Sequence, residues 1–246
     1  MLRSLHNSSL IALACGDSYG SHYECEGLSG YRFALASLPD KPKYPKITDD
    51  TKMATILLNH YKKYKTIQED ILTKEYREWA LKEGDSDGIG IHTKDILLYD
   101  KRDKNSQGNG ALMRNIPFGV ELIKDGFSFD DAVTMMNRDS AITHKNSTIF
   151  MANRVALDLA INGIAVLDKA IYKSIVLKLH QGRTAWIIHS LYRVIEALKK
   201  DVSFLDAFRY IVSFGGDTDT NCAIYGGIKG YKNNIENELF LKDFLS

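Results

Sequence analysis

The chain of 246 residues is long enough for one sizeable core or two modest ones. With 44% hydrophobic and 26% charged residues and a formal charge of +1, it has neither the basic excess of a nucleic-acid groove nor the composition of a disordered chain. No apolar run approaches the length that spans a bilayer, and Cys15, Cys25 and Cys222 form no CxxC pair, which together predict a cytoplasmic protein with reduced thiols and no membrane contact.

Apolar residues recur at three- and four-residue intervals almost throughout, which predicts an all-α fold in a single domain over 1–246. The first apolar run, Leu10 to Cys15, stops at a Gly-Asp pair and is too short for a signal sequence, so it is expected to be a buried helix segment. Pro39, Pro42 and Pro45 exclude helix ahead of residue 48 and, with Gly27 and Gly30, suggest a surface loop over a site. The Lys-rich stretch 61–65 closes a helical pattern, where cations suit the helix dipole. Further helices are expected over 67–81, closed by Gly84, then 148–161, closed by Gly163, then 164–179 and 184–198. Between them, 84–107 is expected as a long polar loop with a short helix over 94–99. Ser128 and Ser203 each precede an acid by three residues and predict two N-caps.

Two acidic segments far apart in the chain, Thr48-Asp49-Asp50-Thr51 and Gly215-Gly216-Asp217-Thr218-Asp219-Thr220, carry the chemistry. Carboxylates beside threonine hydroxyls are the hard oxygen donors that Mg²⁺, Mn²⁺ or Ca²⁺ prefer, and neither segment brings the His or Cys of a zinc site. Each segment taken alone is better explained as the acidic first turn of a helix. Brought together, they need a cation, because two unit charges about 4 Å apart repel by about 4 kcal/mol at a near-surface dielectric of about 20. Gly108-Asn109-Gly110 exposes backbone N–H groups at a possible helix start and suits a phosphate, although Asn-Gly is also a common turn pair. No Walker A lysine follows it.

In chain order, Gly16-Asp17 with Gly20-Ser21 and Tyr23-Glu24, then Thr48-Asp49-Asp50-Thr51 with Met53, then Gly108-Asn109-Gly110 with Met113-Arg114, then Thr143-His144, then Gly215-Gly216-Asp217-Thr218-Asp219-Thr220 resembles the ADP-ribosylglycohydrolase family, nearly end to end. The resemblance implies a compact orthogonal multi-helix bundle around a central dinuclear site for two Mg²⁺ or Mn²⁺ ions, with ADP-ribose as ligand and an ADP-ribosylated protein or small molecule as substrate. It places the metal ligands on Thr48, Asp49, Asp50, Asp217, Asp219 and Thr220. Substrate contacts fall on Ser106, Gly108, Asn109, Gly110 and His144, and Glu24 falls on the family's mobile catalytic glutamate.

Cleavage at ribose C1″ passes through an oxocarbenium-like transition state that wants nearby negative charge and a delivered water. Glu24 is expected as general acid/base, with Glu26 as its rival; Asp50 is counted with it as catalytic, and which metal-site Asp handles the water stays open. The expected activity is a metal-dependent hydrolase of N- or O-glycosidic ADP-ribosyl linkages, acting as a monomer. A turnover-free ADP-ribose-binding or crystallin-like protein and a metal-dependent nucleotide phosphoesterase are the alternatives. One departure bears on specificity: many bacterial relatives carry Asp-Ile-Gly in the middle loop, whereas here Gly88-Ile89-Gly90 leaves the acid one place earlier at Asp87, so the linkage stays open among Arg, Ser, another protein side chain, a nucleobase and a free ADP-ribose ester.

Overall fold

A computed structural model describes residues 7–24, 38, 46–103 and 105–232. The expectations at Cys25, Glu26, Gly27, Gly30 and the three clustered prolines lie outside the described residues. Those described are helical with no strand, apart from one isolated antiparallel bridge between Gly108 and Trp186. In chain order the helices are α1 (Ser8–Gly20), α2 (Asp49–Tyr64), α3 (Glu69–Lys82), the single turn α4 (Gly84–Asp87), α5 (Ile91–Tyr99), α6 (Leu112–Lys124), α7 (Phe129–Thr143), α8 (Ser147–Asn162), the short α9 (Lys173–Val176), α10 (Ile187–Leu198), α11 (Phe204–Val212) and α12 (Thr218–Lys229). No described helix is long and apolar enough to cross a membrane.

The architecture turns on α1 and α12, which pack backbone to backbone. Cβ atoms added at Gly16, Gly20 and Gly226 would overlap the carbonyls of Cys222, Thr218 and Ala12 respectively, and one at Gly230 would lie 2.6 Å from the Ala12 Cβ. Small residues spaced by four on both helices thus let the axes approach more closely than side chains allow. The order of these contacts makes the pair antiparallel, so the C-terminal end of α1 meets the N-terminal end of α12. Two hydroxyls fix the register: Ser9 donates to the Gly227 carbonyl at 2.6 Å and Thr218 to that of Gly20 at 2.8 Å. A Gly16→Val variant is expected to lose about 3 kcal/mol or more of stability, since backbone rather than a flexible side chain blocks the new atoms. Thermal and denaturant melts followed by circular dichroism would read the loss, and an unchanged midpoint would contradict the close approach.

Helix α6 runs through the centre, buried continuously from Leu112 to Val120 and packed against α1, α2, α7, α8 and α12. Its Arg114 is fully buried, with Nε donating to Asp139 Oδ2 at 2.9 Å over the ring of Tyr76, whose hydroxyl donates to Asp139 Oδ1 at 2.7 Å. A buried charge of this kind persists only when paired and hydrogen-bonded, and the remaining guanidinium donors show what it holds: Nη1 bonds the Gly110 carbonyl and Nη2 the Thr143 hydroxyl.

The predicted caps form as expected, with the Ser128 and Ser203 hydroxyls accepting from the N–H groups of Asp131 and Asp206. Helix α8 ends at Gly163, whose φ of 80° suits glycine. Three predicted elements change. The helix expected over 164–179 is broken into 3₁₀ turns at Ile164–Asp168 and Ala170–Tyr172 followed by α9. Asp158 on α8 draws in both Lys169 Nζ and Tyr172 Oη at 2.6 Å, and Lys169 is extended to allow it, so tertiary anchors override helical periodicity. The helix expected from 184 starts only at Ile187, because the preceding residues pair with 107–109. Within the loop expected over 84–107, α4 and a helix longer than anticipated, α5 from Ile91, take up most of the length.

Candidate metal centre

The two acidic segments open α2 and α12, and the antiparallel spine brings these helix starts together beside the end of α1. Gly215 and Gly216 adopt φ of 65° and 89°, left-handed values that turn the chain into α12, and a Cβ at Gly216 would lie 2.5 Å from the Arg183 carbonyl. Thr220 Oγ1 then stands 3.4 Å from Asp50 Oδ2, linking the segments directly. Glu24, Asp217 and Asp219 each present a carboxylate oxygen within 4.8 Å of the others. Asp49, Asp50 and Asp219 are buried, Asp217 is half-buried and Glu24 is exposed at the rim.

Asp17 is the organising residue that sequence reasoning left without a role. Fully buried on α1, its carboxylate accepts from the Thr48 N–H (2.9 Å) and hydroxyl (2.8 Å), and from the N–H and hydroxyl of Thr51. It thereby clamps the first turn of α2, which has no side-chain N-cap of its own, and sets Asp49 and Asp50. The available signal was an acid inside an otherwise apolar helix, a position that demands local partners.

Electrostatically the cluster is under-compensated. Desolvation first, and neighbouring carboxylates second, push the carboxyls of Asp49, Asp50 and Asp219 well above the usual range. Asp17 rises to about 6 through desolvation, against the pull of its threonine hydrogen bonds. Desolvation and the charge of Asp217 raise Glu24. Two helix N-termini contribute about 0.3–1 kcal/mol per favourable placement, less than the repulsion of one close carboxylate pair. Asp50 Oδ1 is buried without any hydrogen-bond partner, the state of an oxygen reserved for a cation. Hard oxygen donors, pooled negative charge and an orphaned acceptor fit Mg²⁺ or Mn²⁺.

Because these acids bind protons more tightly folded than unfolded, the cluster's own contribution to the stability of the metal-free protein is fully present below the unfolded carboxylate range near pH 4. The protein loses that contribution as pH rises through about 6, where Asp17 titrates, and beyond, where the more strongly raised groups follow. Melting in chelator is expected to fall between about pH 5 and pH 8, and added Mg²⁺ to offset the fall most at the upper end. A flat profile in chelator would contradict the crowding of charge.

The glycine turn stands beside this centre. Asn109 Nδ2 donates to Asp217 Oδ2 at 2.6 Å and to Ser190 Oγ at 2.8 Å, so the Asn109 side chain positions an acid, while its N–H bonds the Ala185 carbonyl. His144 is buried beneath the turn: Cβ atoms at Gly108 and Gly110 would lie 3.2 and 3.1 Å from its ring, which explains glycine at both. Burial first, then Arg114 and His92, hold its pKa well below the ordinary value, so the ring is neutral. Its Nδ1 is 2.9 Å from the Thr143 hydroxyl that also accepts from Arg114. Ser106 lies half-buried at the edge of the turn. Asp87 is buried and accepts from the Trp79 indole N–H at 2.9 Å, with Lys52 Nζ 3.9 Å away.

The comparisons with known proteins identify the family and the fold. The family model for ADP-ribosylglycohydrolase matches residues 7–237. The chain therefore belongs to the ADP-ribosylglycohydrolase family, a family of glycohydrolases. It is similar to a protein of Acanthamoeba polyphaga mimivirus named "Putative ADP-ribosyl glycohydrolase", at 22% identity over 96% of this chain and 89% of that one. A solved structure titled "ADP-ribosylglycohydrolase-related protein complex" shares the fold, with a TM-score of 0.70 at 19% identity over 93% of this chain and 88% of that one.

Proposed function

We propose that the protein is a metal-dependent hydrolase that releases ADP-ribose from ADP-ribosylated substrates by cleaving the C1″ linkage. The observation that carries this reading is the orphaned Asp50 Oδ1 inside a pool of carboxylates drawn from three helix ends. Thr48, Asp49, Asp50, Asp217, Asp219 and Thr220 would hold two Mg²⁺ or Mn²⁺ ions. When bound, such ions supply positive charge that fixes a sugar diol and makes a nearby water more acidic.

The rest of the work falls to the chain. Glu24, at the exposed rim and with its pKa raised, is suited to give a proton to the leaving group and take one from water. Asp50, buried within the carboxylate pool, is the candidate for orienting that water. In the turn Gly108-Asn109-Gly110, with Ser106 at its edge, the glycine N–H groups are the ones proposed to meet a diphosphate, since that of Asn109 is held by the Ala185 carbonyl. His144 beneath it supports the turn as a neutral ring rather than as a cation. Asp87, engaged by Trp79, is not turned toward a guanidinium, which favours linkages other than arginine. We place the enzyme in the cytoplasm as a single-domain monomer, a reading supported by two buried free thiols, Cys15 and Cys222.

A panel of ADP-ribosylated Arg, Ser, nucleic-acid and acyl-ester substrates, each with Mg²⁺, Mn²⁺ or chelator, tests the proposal. Intact ADP-ribose released only with metal is the expected product. AMP would indicate phosphoester attack instead, and ADP-ribose binding without turnover would indicate a binding protein.

A further inference from the structure

Away from the carboxylates, His180 and His189 bring their Nε2 atoms to 3.3 Å of one another, with the rings nearly perpendicular at 87° and 5.0 Å between centroids. Each ring is oriented through its other nitrogen. His180 Nδ1 lies 2.9 Å from the Lys178 carbonyl, which can only accept, so in the neutral ring that nitrogen carries the proton and Nε2 a lone pair. His189 Nδ1 lies 2.8 Å from the Thr184 hydroxyl. Tethering the far nitrogen to a protein oxygen is the arrangement that aims an imidazole at a metal. The Gly182 backbone lies directly on the His189 ring, where any Cβ would overlap it, so the loop is shaped around that imidazole.

The separation fits two explanations. One is an Nε2–H to Nε2 hydrogen bond at the long end for such bonds, with the Thr184 hydroxyl donating to His189 Nδ1. Two imidazole nitrogens about 2.0–2.1 Å from a tetrahedral Zn²⁺ stand about 3.3–3.4 Å apart, which matches. We propose that His180 and His189 form a second metal site, separate from the carboxylate centre, that takes a first-row transition dication such as Zn²⁺, Ni²⁺ or Cu²⁺ through two imidazoles and leaves its other positions to solvent.

Imidazole donors suit these ions and not Mg²⁺, so saturating Mg²⁺ would compete at the carboxylates and not at the histidine pair. The Trp186 ring stands 5.2 Å from His180 and 5.0 Å from His189, and its indole N–H donates to Gln107 Oε1 at 3.0 Å. Occupancy would therefore brace the 180–189 segment against the residues leading into the glycine turn.

The test uses the tag-free full chain in saturating Mg²⁺, titrated separately with CuCl₂, NiCl₂ and ZnCl₂. Binding is read by calorimetry and, in a Trp79→Phe background, by quenching of Trp186. The expected result is one saturable equivalent, an affinity at least tenfold weaker in His180→Ala and in His189→Ala, and no change in His22→Ala. Wild-type affinity retained in both histidine variants, or no saturable binding to the wild-type chain, would overturn the proposal. Electron paramagnetic resonance of the Cu²⁺-loaded wild-type protein needs no variant to fold: nitrogen hyperfine structure from two imidazoles supports the site, and oxygen-only coordination refutes it. None of these readouts depends on catalysis.

Discussion

Asp219→Ala is expected to abolish release of ADP-ribose in Mg²⁺ or Mn²⁺ while leaving the helical circular dichroism intact. Asp219 lies where carboxylates from both ends of the chain meet, close to Glu24 and Asp217 and under the influence of Asp50. Its removal takes away a proposed ligand and also one of the charges that repel the others. The two effects have opposite signs in stability, and that makes the test sharp. In chelator the variant should melt at or above the wild-type temperature, because a buried carboxylate repelled by its neighbours has gone. With metal the wild-type chain should gain about 2.7 kcal/mol at a hundredfold excess over Kd, and the variant far less. Wild-type turnover by the variant would remove Asp219 from the mechanism, and equal metal stabilisation would remove it from the ligand set.

Glu24→Gln keeps the shape of the side chain and removes its ability to exchange a proton. Hydrolysis is expected to fall by about 10²–10⁴-fold, the usual range for general acid/base catalysis. ADP-ribose affinity and metal-induced stabilisation should stay near wild type, since the residue sits at the exposed rim rather than in the buried set. Its position follows from the α1 terminus, where the Tyr23 N–H bonds the Gly20 carbonyl and Ser21 Oγ lies 3.3 Å from the Lys46 carbonyl, holding the turn against the lead into α2. Loss of binding in step with rate would recast Glu24 as a ligand, and an unchanged rate would pass its role to another carboxylate. Single-turnover release of ADP-ribose, measured beside equilibrium binding, separates these outcomes.

Much of the fold was legible because its signals are local. Ser128, Ser203 and Gly163 each solve a terminus with their own chemistry, and the three- and four-residue spacing of apolar side chains marks the long helices. The meeting of the acidic segments was legible for a different reason, since only a common counter-charge makes sense of both. Tertiary chemistry was not legible. Asp158 reshapes 164–179 from another helix, and the pairing of 185–187 with 107–109 delays α10, although neither partner is near in sequence. Asp17 was visible as a letter within a motif, but its hold on Thr48 and Thr51 depends on how α1 and α2 cross. The converging rings of His180 and His189 likewise require the loop conformation around Gly182.

The interlocked backbones of α1 and α12 also impose an order on synthesis. A ribosome delivers α1 well before α12, so the nascent chain carries half of its acidic pocket with no counterpart until α12 has emerged. Such long-range pairing is slow to form, because the loop between the partners must close before either is rewarded. The acidic pocket should therefore assemble abruptly once α12 has emerged, and fragments lacking α12 should expose the glycine face of α1 to chaperones and proteases.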